Sequence, residues 1–350
     1  MAPLLSVLDQ TPIPEGGTGS QALQNTLDLA RHADRLGYHR YWVSEHHGGL
    51  SLAGPAPESL IPAIASVTGP QLRVGSGGVM LPHYSPLKVA EQFSLLAGLF
   101  PGRIDLGLGR ASGTDPLTAY ALQRDRTNQH IADDFPDQLE ELLWYLEDKL
   151  PAGHSFARLA SSLPGLPESP EPWLLGSSPQ SAYWAADLGL PYAFADFINP
   201  GGAANARTYA EHFQPGKRLD AAQIAVAGWI LAADTEEEAL HLALSHRVAF
   251  KSLRRGRPIP FPSPEKARRV LIADGDDPDA RPRDRRMIVG DPQQVREGVE
   301  QLARDYGAGE VIVVTITHDH DARKRSYELV AEAFGLAARD GSPAPAASTA

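Results

Sequence analysis

The sequence predicts a single α/β domain of the closed (β/α)8 type, a TIM barrel, and three observations carry that expectation. Short apolar, β-branched runs alternate with longer amphipathic stretches; eight such pairs occur; and the chain left after its irregular stretches are set aside has the length of one barrel. Alternation of this kind is what parallel strands need, because a parallel pair is joined by a crossover helix and not by a tight turn. An open doubly wound sheet uses fewer units, so closure into a barrel is the expected solution.

Strands are expected at 4–8, 38–43, 72–79, 103–108, 172–175, 192–195, 224–231 and 310–316. The run Val311, Ile312, Val313, Val314 is apolar on both faces, as a strand covered on both sides must be. The first helix is expected over 21–36, where Leu23, Leu27, Ala30, Ala33 and Leu36 recur at three-to-four spacing. Ser20 is its expected cap and Gly37 its stop. The same grammar repeats at 86–100, 178–188, 235–250 and 292–306.

Three stretches break the rhythm: 111–170, 251–286 and a tail at 338–350. Setting them aside leaves 241 residues, close to the roughly 250 of a typical barrel. The two insertions follow strands four and seven, so they should rise from the face where such barrels do their chemistry. The first is expected to contain a helix over 133–150. The second carries eleven Lys or Arg against six acidic residues, with a short helix over 264–272, and its length marks it as either a disordered loop or a working lid over the site. Residues 1–337 are thus read as one domain, and 338–350, poor in large apolar residues, as a flexible tail.

With 42% hydrophobic and 21% charged residues the composition is that of an ordinary soluble protein. A formal net charge of −11 argues against nucleic acid or an anionic membrane as partner and leaves small molecules. The chain contains no cysteine, which excludes disulfides, thiolate metal ligands and thiol nucleophiles. No apolar run is long enough to span a bilayer and no leader pattern opens the chain, so a cytoplasmic location is expected.

Four motifs fall at the ends of expected strands. After strand two, Tyr41-Trp42-Val43-Ser44-Glu45-His46-His47 places one acid and two imidazoles at the mouth. No carboxylate or histidine lies at helical i, i+4 spacing with the pair, so no metal is expected. Strand three ends in Gly75-Ser76-Gly77-Gly78, and glycines inside a strand mark close backbone approach or unusual dihedrals. Strand four delivers Arg110 to the mouth, a forked donor suited to phosphate or to an anionic ring edge. Strand five passes through Gly176-Ser177-Ser178-Pro179-Gln180-Ser181 into a helix, where hydroxyls and free amides can hold an anion. His318, Asp319, His320 and Asp321, after the last strand, are read as a solvated loop.

In that order, at successive strand ends, these motifs resemble the bacterial luciferase-like flavin-dependent monooxygenases over most of the chain, from about residue 4 to 336. The resemblance implies FMN as cofactor, supplied reduced by a separate flavin reductase, with dioxygen and a small organic substrate such as an aldehyde or an aromatic intermediate. It implies that His46, with Glu45 and His47 beside it, lies over the flavin carbon where oxygen adds. There an imidazole titrating near neutrality would move a proton. Glu45 either sets the His46 tautomer or anchors the strand end. The resemblance further implies a non-proline cis peptide at Gly77-Gly78 under the ring, Arg110 on the cofactor, and Ser177, Ser178 and Ser181 on the phosphate. A homodimer is implied as well. Two other readings stay open: a deazaflavin hydride-transfer enzyme on the same fold, and a non-catalytic flavin-binding subunit.

Overall fold

Eight parallel strands close into a ring, and a ninth lies outside it. The strands are β1 (Leu4–Asp9), β2 (Arg40–Val43), β3 (Arg73–Met80), β4 (Ile104–Gly109), β5 (Glu171–Gly176), β6 (Tyr192–Ala195), β7 (Ile224–Ala232), β8 (Met287–Gly290) and β9 (Glu310–Val314). The computed structural model describes residues 2–110, 115–123, 134–216, 218–281 and 287–339. Pairing runs β6-β5-β4-β3-β2-β1-β9-β7, and β6 pairs with β7 to complete the barrel. The expected (β/α)8 fold is therefore present.

The extra strand was not foreseen. β8 pairs in parallel with β7, Trp229 opposite Met287 and Ala232 opposite Gly290. Four residues, mostly half-buried, are too few to show a period, and they directly follow the second insertion. The helix Glu236–Arg254 runs into that insertion, and the helix expected over 264–272 spans Pro264–Ala273, packing on the first through Leu271 and Leu244. In the first insertion the helix expected over 133–150 spans Phe135–Leu146. Residues 111–114, 124–133, 282–286 and 340–350, which include most of the expected tail and Arg283, Arg285 and Arg286, lie outside the described residues.

Local signals explain the helix ends. The helix Gly19–Leu36 starts earlier than expected because Thr18, not Ser20, caps it. The Thr18 hydroxyl accepts from the Gln21 amide and the Gln21 side chain accepts from the Thr18 amide. That reciprocal capping box is worth more than a lone serine inside the first turn. Gly37 ends the helix at φ 89°, a conformation that favours glycine.

Inside the ring the strands carry alternating small and large residues. Trp42 and Trp173 meet edge to face, 5.4 Å between centroids. Glycines on β3 and β4 make room: a Cβ on Gly75 would stand 2.4 Å from the Asp105 carbonyl oxygen. Below the tryptophans the barrel floor is ionic. Arg40 contacts Asp105 at 2.9 Å, Glu310 at 3.2 Å and Glu171 at 3.6 Å, and Trp42 Nε1 donates to Asp105 at 2.9 Å. Burial opposes the charge on Arg40, but the three carboxylates outweigh it and raise its pKa. Burial likewise lifts the Glu310 carboxyl above its ordinary range, against the pull of Arg40 and Ser6.

Removing Arg40 leaves buried Glu310 without its cation, while Asp105 and Glu171 keep Arg73. Arg40→Met should cost about 3–5 kcal/mol, read from urea unfolding midpoints. Adding Glu310→Gln should recover part of that loss. A single-variant cost below about 1 kcal/mol would show that the floor is hydrated and the charges already solvated.

Candidate active site

The C-terminal ends of the strands converge on one mouth, and the residues singled out in the sequence stand there. Ser44, Glu45, His46 and His47 leave β2; Gly77 and Gly78 lie in β3; Arg110 follows β4; Ser177, Ser178 and Ser181 follow β5. Gln10, after β1, joins them without having been anticipated.

The Glu-His-His element separates into two pairs. Glu45 turns toward β3: one carboxylate oxygen accepts from His47 Nε2 at 2.7 Å and the other from the Met80 amide at 2.9 Å. Of the two roles open to Glu45, the geometry is that of the strand-end anchor. His46 is held instead by Ser44, whose hydroxyl lies 2.9 Å from Nδ1, while the His46 amide donates to Gly54. Burial, and then the neighbouring His47, push the His46 imidazole down to about 4. At that value the ring is uncharged at neutral pH. Burial raises the Glu45 carboxyl, partly offset by His47 and Met80.

His83, just beyond β3, completes a cluster whose ligand-type atoms, one each from Glu45, His47 and His83, lie within 4.8 Å of one another. Sequence spacing could not show this grouping because His83 arrives from another strand. Its ligand types suit a metal, yet both Glu45 oxygens already accept hydrogen bonds within the protein.

The serine turn is built as its sequence suggests. Ser178 caps the helix Pro179–Leu188 and accepts from the Ser181 amide, leaving the other amides of the first turn without intrahelical partners. Ser181 sits deeper, its hydroxyl donating to the Ser178 carbonyl and lying 2.9 Å from the Tyr192 hydroxyl. Gly176 lets it pack there, since a Cβ would lie 2.1 Å from Ser181 Oγ. Arg110 packs over Trp184 of the same helix at 5.4 Å, which puts its guanidinium beside the serine turn. The Gly77-Gly78 peptide bond is cis. A Cβ on Gly78 would stand 2.6 Å from the Gly107 carbonyl oxygen, so β3 and β4 approach as closely here as glycine permits.

Two cavities open at this mouth. The smaller is lined by Gly77, Gly78, Arg110, Ser177, Ser178 and Ser181 among others. The larger, about 650 Å3, is walled mainly by aromatic and aliphatic side chains from β7, the helix Glu236–Arg254 and the 256–261 stretch. Gln10, His46, Phe197 and Ile198 line both. After β9, Ile316 lines the larger cavity, whereas Asp319 caps the helix His320–Phe334 and His320 pairs with Asp28 at 3.0 Å.

A parallel barrel with an uncharged imidazole between an anion-ready cleft and an apolar chamber defines an enzyme that acts on a small molecule. Comparison with known proteins narrows the class. Residues 5–310 match the model of the luciferase-like monooxygenases, and the chain belongs to that family. It is 41% identical to an Escherichia coli K12 luciferase-like monooxygenase, over 93% of this chain and 95% of that protein. It is 37% identical to the N-acetyl-S-alkylcysteine monooxygenase of Bacillus subtilis, over 96% and 99%. The crystal structure of apo-MsnO8 superimposes with a TM-score of 0.85 at 41% identity, covering 97% of this chain and 99% of that one. Among the described residues no helix is long and apolar enough to cross a membrane.

A second buried imidazole, His246 in the wall of the larger cavity, is also pushed by burial to about 4. Both rings are neutral in the folded protein, whereas an unfolded chain protonates near the ordinary value of 6.5. Their effect on pH dependence is nil above about 6.5, and stability falls as pH drops from there toward 4, by up to about 1.4 kcal/mol per pH unit for fully buried His246. Urea midpoints of His246→Phe measured from pH 7 to 4.5 should fall less steeply than those of the parent. Parallel losses would mean that the ring is already charged in the native state.

Proposed function

We propose that the chain is an FMN-dependent monooxygenase that receives reduced FMN from a separate reductase and uses dioxygen to oxidise a small organic substrate. The observation that carries this reading is the position of His46 in the common wall of the two cavities. Cofactor and substrate would meet there beside one proton acceptor. Reduced FMN, when bound, would supply the electrons for oxygen activation, and the protein supplies position and a shielded environment.

The smaller cavity fits that group. Ser177, Ser178, the amides of the helix start and Arg110 would hold the phosphate, with Ser181 supporting the turn from below. Gly77 and Gly78 would lie against the ring. His46, kept in orientation by Ser44, would take up or return a proton at the reacting edge. Glu45 and His47 would position that segment through β3. The second insertion, which contributes to the larger cavity through 256–261, would limit water access as a lid.

The family supports oxygen chemistry. The oxygenating constituent of 3,6-diketocamphane monooxygenase from Pseudomonas putida, solved in complex with FMN, shares the fold at a TM-score of 0.68 and 21% identity. A homodimer and a cytoplasmic location accompany this reading.

Titration of the chain with oxidised and reduced FMN, and in parallel with the deazaflavin F420, tests the cofactor. FMN should bind with Arg110→Ala and Ser178→Ala each weakening it about tenfold. F420 binding without FMN binding would overturn the proposal. For the proton acceptor, oxygen uptake by the reduced FMN complex is compared between the parent and His46→Ala. The rate should change by about a hundredfold, and an identical pair of traces would remove His46 from the reaction.

A further inference from the structure

The larger cavity has a one-sided chemistry. Phe197, Trp229, Phe250 and Phe261 present rings to it, and among its described lining residues there is no Lys or Arg and one carboxylate, the exposed Asp115. Set into the aromatic wall is a polar side chain with nothing to bind. His246 is 5% exposed, and no hydrogen bond to a described residue holds either ring nitrogen. The ring is fixed by packing alone, 4.2 Å from the Trp229 ring and stacked on Phe250 at 5.7 Å with 14° between planes. Beside it, Trp229 Nε1 is buried with no partner among the described residues. An unpartnered imidazole at the cavity wall and a buried indole N–H next to it are polar groups that a ligand can satisfy.

We infer that this cavity is the substrate chamber and takes a neutral, aromatic substrate whose hydroxyl or carbonyl oxygen hydrogen-bonds His246. The aromatic walls favour stacked or edge-on planar rings. Among the described lining residues no Lys or Arg stands ready to pair with an anion, so a carboxylate or sulfonate counterpart should bind more weakly. Burial keeps the imidazole uncharged at neutral pH, so it can donate to a carbonyl or accept from a hydroxyl. His246 is thus a specificity residue that touches substrate, separate from the residues lining the smaller cavity.

The assignment of the chamber rests on the flavin reading of the neighbouring cleft, but the test does not need flavin. Calorimetric titrations of the full chain with 2-naphthol, naphthalene and 2-naphthoate compare one ring system with and without a neutral or charged polar group. 2-Naphthol should bind about tenfold more tightly than either of the others, the worth of one buried hydrogen bond. His246→Phe should reduce 2-naphthol to the level of naphthalene and leave naphthalene unchanged, while His246→Gln should keep part of the preference. An unaltered preference in His246→Phe, equal affinity for 2-naphthoate, or no measurable binding of 2-naphthol would each overturn the inference. FMN titration of the same samples separates the two readings. Lost FMN affinity with intact naphthol selectivity sinks the cofactor assignment alone, and unchanged FMN affinity in His246→Phe shows that the variant is folded.

Discussion

One guanidinium at the bottom of the barrel sets the terms for everything above it. Arg40 on β2 reaches Asp105 on β4, Glu171 on β5 and Glu310 on β9, so half of the barrel strands are tied to a single buried group. Strand register is usually protected by apolar alternation, because a one-residue slip turns every side chain to the opposite face. Here a slip would also strand several charges in a dry interior, a far larger penalty. Trp42 continues the constraint upward, bonded to Asp105 beneath and meeting Trp173 edge to face across the ring.

A second pin acts at the top. Glu45 accepts the Met80 amide, joining the end of β2 to the end of β3, and holds His47 with its other oxygen. His46 lies between these contacts in sequence but takes a different partner, Ser44. The segment is therefore fixed on both sides of the ring that lines both cavities. Rigid strand ends with a supporting shell are what a reacting geometry requires, since small displacements are costly in rate.

The barrel and the strand-end residues were legible because each rests on local pattern: apolar runs, helical spacing, glycines within a strand, serines before a proline-led helix. What was illegible depends on contacts between distant parts of the chain. The role of Glu45 turns on the Met80 amide thirty-five residues away, and no spacing rule connects them. His83 joins Glu45 and His47 only because β2 and β3 are neighbours. β8 is too short to carry a period, and Thr18 outcompeted Ser20 through a reciprocal bond to Gln21 that a single favoured residue type does not reveal. His246 sits among apolar residues in a helix whose mean pattern is unremarkable for a barrel; its significance appears only when Trp229 and Phe250 are seen on either side of it.

The two cavities draw on different parts of the chain, and this divides the labour of recognition. The smaller is made mostly by strand ends and their immediate turns, the parts held by the floor and by Glu45. The larger takes its far wall from the helix Glu236–Arg254 and from residues 256–261, which are attached through backbone bonds between Phe261, Ile13 and Glu15. Contacts of the first kind are shared by any barrel of this construction, whereas the second wall can be rebuilt by altering one insertion without disturbing a strand. A ring placed in the partition faces whatever the far wall admits. Position of the reacting groups is thus a property of the barrel, and choice of substrate a property of the segment laid over it.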